Sequence, residues 1–167
     1  MNEIRNYSIE EFIQFSTNEL SSINDIQLLI LKGHVLVEYS LNCYLEAKSI
    51  NKESDFFKER FTFSTKLKIA KHFTTLGSID DDLIKEIQIL NKIRNEIAHS
   101  LTYNESLLKE LFSEVKKKSP EGILSKPNST IKEKIIGSIA FINGALFGGY
   151  KYYTDKENLS NYIKENK

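Results

Sequence analysis

The hydrophobic positions of this chain fall into helical runs separated by few breaks. Ser8 opens a capping box, "SIEE", with Glu11 three residues on, and predicts a first helix to about Leu20. From Ile23 to Lys48, "INDIQLLILKGHVLVEYSLNCYLEAK" predicts a long helix with apolar residues on nearly every side. A helix that is hydrophobic all round is normally the central, buried one. "NKESD" breaks the pattern, and a short helix through "FFKERF" is expected after it. Next comes "STKLKIAKHFTTLG", with Ser64 placed to cap and Gly77 to terminate. "SIDDDLIKEIQILNKIRNEIAHS" begins with acidic residues suited to the positive end of a helix dipole. Asn104 is placed to cap "ESLLKELFSEVKKK", whose final lysines suit the negative end.

"SPEGILSKPNS" holds both prolines and predicts a loop over 119–128. A last helix follows over about 129–153, then a polar tail over 154–167. Ile135 to Tyr150 carries no charge but falls short of the ~18–20 apolar residues needed to span a bilayer, so no membrane contact is expected. Ala140, Gly144 and Gly148 recur every fourth residue and form a small-residue face for a closely packed helix, within the chain or between subunits. The expected fold is all-α: one helical domain over 1–167, its core over about 8–118, with a long central helix and an extra C-terminal one.

Composition changes this picture little. With 40% hydrophobic and 28% charged residues the chain is globular in character, and its 167 residues suit one domain. Twenty-three basic residues balance 23 acidic ones, so any binding to nucleic acid must use a local patch. The lone Cys43 excludes an internal disulfide and reads as a small buried thiol. "MNEIRNYSIEEF" has no signal-like apolar stretch, which makes a cytoplasmic location the default expectation.

One arginine sits on an apolar face. At about 100° per residue, Leu83, Ile87, Leu90 and Ile97 share a stripe, flanked by Ile84, Ile93 and Ala98, and Arg94 falls near its middle. A buried guanidinium needs a carboxylate partner, a wet cleft or an anionic ligand. His34, Glu38 and Asn42 form one polar line along the otherwise apolar central helix, so Glu38 is the expected partner. On one reading the Glu38–Arg94 pair is structural and fixes helix packing. On the other, Arg94 joins Asn95 and His99 in an active site. Histidine can take a proton from a ribose 2′-hydroxyl or return one to a leaving oxygen. An arginine fork can hold a phosphate and stabilise its developing charge without a metal, and Asn95 can position it. Arg94 and His99 lie about 140° apart around an ideal helix, so they converge only through the long arginine stem or if the helix ends near Ala98.

"KIRNEIAHS" resembles the R-x-x-x-x-H signature of the HEPN superfamily, helical domains found in RNA-cleaving toxins and defence proteins. "LKGHVLVEYSLNCYL", "FTFSTKLKIAKHFTTLG" and "LIKEIQILNKIRNEIAHS" occur in the order seen in its mannitol-repressor-like branch, a similarity covering about residues 26–104. The resemblance implies an antiparallel bundle that forms a homodimer, with two motifs around a shared cleft and RNA as substrate. Arg94, Asn95 and His99 are then the catalytic set, and Glu38 and His34 support them from the facing helix. It equally implies an alternative, a catalytically silent regulatory module that holds a protein partner. Toxin members often continue R-x-x-x-x-H-x-Y and pair with an antitoxin; here Tyr103 comes two positions late.

No cofactor is expected. His34, His72 and His99 lack metal-ligand spacing, so no metal site is expected either. No helix-turn-helix with a basic recognition helix is present, which argues against direct sequence-specific DNA binding. Lys66, Lys68 and Lys71, with Lys116, Lys117 and Lys118, are candidate ground for an RNA backbone.

Overall fold

The computed structural model describes residues 3–51, 60–77, 83–100 and 102–165, with side chains to Lys156. Among the described residues all regular structure is helical, with no strand. Six α-helices follow in order: α1 Ile9–Ser21, α2 Ile26–Lys48, α3 Phe63–Phe73, α4 Ile84–Ser100, α5 Glu105–Lys118 and α6 Ile131–Glu165. Short 3-10 turns lie at Ile4–Asn6, Thr75–Gly77 and Ile123–Ser125.

Caps decide most boundaries. The Ser8 hydroxyl accepts from the Glu11 amide at 3.1 Å, and the Ser8 amide donates to the Glu11 carboxylate at 2.7 Å. Asn104 caps α5, its Oδ1 accepting from the Ser106 amide at 2.9 Å. Two starts differ from expectation. The long helix begins at Ile26 rather than Ile23 because the Asp25 carboxylate takes the Leu28 amide at 2.7 Å. α3 begins one residue before Ser64, because Thr62 accepts from the Thr65 amide at 3.2 Å. Most of the expected "FFKERF" helix, and the acidic start at Asp80–Asp82, lie outside the described residues.

α2 occupies the centre, as its all-round hydrophobicity predicted. It packs most extensively on α6 and also against α4, α1 and α3. Leu29, Val37 and Leu41 of α2 meet Ile139, Ile142 and Leu146 of α6, Ile87, Leu90 and Ile93 of α4, and Leu108 and Leu111 of α5 in one buried core. Each such side chain contributes about 1.5–3 kcal/mol by leaving water. Gly33 sets the closeness of α2 and α6: a Cβ there would come within 2.1 Å of Ile139 Cδ1. In the same seam the buried Ser40 hydroxyl donates to Asn143 Oδ1 at 2.9 Å. Cys43 is fully buried in one cluster with Phe12 and Phe147, whose rings stack on each other at 4.2 Å.

α6 corrects the expected end at about 153. It runs to Glu165, so the polar tail continues the helix. No glycine or proline follows Gly149, and extending a formed helix avoids the cost of a new nucleus. Its small-residue face is half-buried within the chain: Gly144 lies beside Ile13 and Gly148 beside Ile9, both of α1. Among the described residues no helix is long and apolar enough to cross a membrane.

Candidate active site

α2, α3 and α4 enclose a cleft of about 400 Å³ whose walls include His34, Glu38, Thr62, Asn91, Arg94 and Asn95. The cleft therefore gathers both supporting residues and two of the three catalytic candidates.

Arg94 does not pair with Glu38. Glu38 Oε1 accepts from Lys66 Nζ of α3 at 2.6 Å. The reason is burial: Lys66 is only 7% exposed, and its stem runs along the inner face of α3 toward α2. Its position carried the signal, three residues after Phe63 and four before Ala70 on the face that packs inward. This pairing also removes Lys66 from the lysines available to an RNA backbone. Lys117 and Lys118 are engaged as well, on Glu114 and on the buried Glu86, each at 2.7 Å.

Arg94 itself is exposed rather than buried in the stripe. Ile93 and Ile97 are covered, but Arg94 and Ala98 on the adjoining edge are not, because the apolar cover over the end of α4 is narrow. Among the described residues the guanidinium has no carboxylate partner. Its Nη1 donates to Asn95 Oδ1 at 3.0 Å. The arginine stem thus swings around the helix onto the residue one turn before His99. Asn95 and His99 point within about 40° of each other around the helix axis. His99 is exposed and makes no hydrogen bond among the described residues. It lies on the open continuation of that face rather than in the wall of the cleft.

His34 is 4% exposed, with its ring against Phe63 at 4.3 Å between centroids and Nε2 at 3.2 Å from Asn91 Oδ1. Burial holds its pKa below the usual histidine value; the Asn91 contact and the Glu38 charge oppose this, and the Arg94 charge adds to it. His34 is therefore a neutral imidazole at pH 7, bracing Asn91 rather than carrying charge. Asn91 was not singled out from the sequence; its place three residues before Arg94 was the available sign.

Among the described residues no group of three His, Cys, Asp or Glu side chains is placed to hold a metal ion. Together, the fold and cleft define an all-helical protein with an arginine–asparagine pair open to solvent. In comparisons with known proteins, no family model, no curated protein and no solved structure matches the chain.

Proposed function

We propose that the protein is a metal-independent endoribonuclease of the HEPN kind, acting as a toxin or defence effector. The observation that carries this reading is the Arg94–Asn95 contact: a guanidinium free of carboxylates, drawn round the helix toward the face of His99. A structural arginine on this helix would instead be expected in an ion pair. Here Lys66 holds the available carboxylate, and Arg94 is left facing a cleft large enough for a phosphodiester.

In the proposed reaction the ribose 2′-oxygen attacks the adjacent phosphorus and the P–O5′ bond breaks. The products are a 2′,3′-cyclic phosphate and a 5′-hydroxyl. Arg94 neutralises the charge building on the phosphoryl oxygens, and Asn95 orients them. His99 takes the 2′-proton and the imidazolium so formed returns it to the departing 5′-oxygen, work worth about 10²–10⁴ in rate. A homodimer completes the arrangement, each chain bringing its own Arg94 and His99 to a common cleft.

The test is digestion of a mixed RNA pool in EDTA by the wild type, Arg94→Ala and His99→Ala. Cyclic-phosphate ends that disappear in both variants support the assignment. A folded dimer that cuts no RNA overturns it and leaves the regulatory reading.

A further inference from the structure

We propose that the groove between α3 and α4 is a track for single-stranded RNA that leads the strand into the Arg94 cleft. The proposal rests on the ribonuclease reading and names how its substrate is held. A second cavity, of about 310 Å³, lies beside the first and is lined by Ser64, Leu67, Lys68, Lys71, Gln88, Asn91 and Lys92. Ser64 and Asn91 belong to both cavities, so the two form one continuous groove. Residues 64–71 of α3 face 88–92 of α4 in the second cavity, and 62–64 face 91–95 in the first, so the two helices run antiparallel along it.

Charge decides the class of ligand. Lys68, Lys71 and Lys92 are exposed, and among the described residues none has an ion-pair partner. Glu38, the acidic residue in the adjoining cleft, is held by Lys66. Gln88, Asn91 and Ser64 add uncharged hydrogen-bonding groups between the lysines. The floor between the lysine heads is largely apolar, with Leu67 in it, so a polyanion that also carries flat apolar bases fits this lining.

Dimensions decide single strand over duplex. The two cavities, of about 310 and 400 Å³, have room for a few nucleotides of one strand and not for the width of a double helix. From Gln88 to Asn95 the groove follows α4 for about 10 Å at 1.5 Å per residue. That length takes roughly three nucleotides at the ~3.4 Å spacing of a stacked strand. The lysines then bind phosphates on one side of the scissile bond.

The experiment uses a fluorescent 12-nucleotide RNA, 2′-O-methylated throughout so that it cannot be cut, with anisotropy read across a salt series. The proteins are the wild type, a Lys68→Gln/Lys71→Gln/Lys92→Gln variant, and a charge-matched control, Lys109→Gln/Lys126→Gln/Lys156→Gln. Each phosphate contact on a single strand steepens the slope of log affinity against log salt by about 0.7, so the groove variant should flatten it by about 2. Between 50 and 200 mM salt the wild type should lose about 18-fold more affinity than the groove variant. The control should match the wild type. On cleavable RNA the groove variant should raise KM and leave kcat at saturation unchanged.

Wild-type affinity and slope in the groove variant overturn the track, as does equal loss in the control. Equal binding of a duplex through the same lysines overturns the single-strand assignment. Competition by poly-glutamate as strong as by RNA overturns the assignment to RNA. If the wild type cleaves RNA while the groove variant binds unchanged, the track falls alone. If groove-dependent binding is present without cleavage, the ribonuclease reading falls and the track stands as a binding surface.

Discussion

Lys66→Met tests the feature on which the site depends, because Lys66 holds Glu38 away from Arg94. The Lys66 side chain is 9% exposed and that of Glu38 is 32% exposed, so the pair lies between a surface bridge and a buried one. Exposed pairs contribute about 0–1 kcal/mol, whereas breaking a buried one costs about 3–5 kcal/mol. A loss of about 1–3 kcal/mol follows for the variant. At 2–4 °C per kcal/mol for a chain of this size, that lowers Tm by roughly 2–12 °C. The functional effect is separate. Once freed, the Glu38 carboxylate shares the cleft with Arg94, and a charge-assisted hydrogen bond between them is worth about 1.5–3 kcal/mol. If the protein is the proposed ribonuclease, displacing it before phosphate binds should lower kcat/KM by about 10- to 150-fold. Adding Glu38→Gln to Lys66→Met removes the competing charge and should restore cleavage while leaving the protein less stable than the wild type. The assay pairs thermal unfolding with initial rates on one RNA. Full activity in Lys66→Met, or no rescue in the double variant, would show that Lys66 does not keep Glu38 from Arg94.

Three further outcomes follow from buried groups. Lys118→Ala strands the Glu86 carboxylate, whose side chain is 0% exposed, and should cost about 3–5 kcal/mol in urea unfolding, with Glu86→Gln/Lys118→Met recovering most of it. A loss below about 1 kcal/mol would show that the pair is dispensable. His34 has a folded-state pKa below its unfolded value, so its contribution is fully present above about pH 6.5 and declines as pH falls through the folded pKa. His34→Gln should flatten stability between pH 7 and 5; an unchanged slope would remove His34 as its source. Cys43 is buried and its thiol is pushed up to about 11 by desolvation, so a thiol reagent at pH 8 should label it only after denaturant is added. Rapid labelling of the native protein would contradict its burial.

Features set by local chemistry could be read along the chain. Ser8 and Asn104 cap where expected because their side chains reach amides two or three residues ahead, a contact that needs no other part of the chain. The centrality of α2 was legible because an all-round apolar helix has no face to offer water. Cys43 followed from that same run. Tertiary structure decided the pairings and the exposure. A carboxylate on an apolar helix announces that it needs a partner without saying which, and Lys66 of α3 met Glu38 before Arg94 did. Arg94 shared the apolar stripe by angle, yet burial depends on what covers the end of α4, and the cover stops at Ile93 and Ile97. The groove of Lys68, Lys71 and Lys92 arose only when two helices distant in sequence were laid side by side. Spacing along a helix fixes which side chains share a face, while the neighbour that face meets is set by the packing of the whole core.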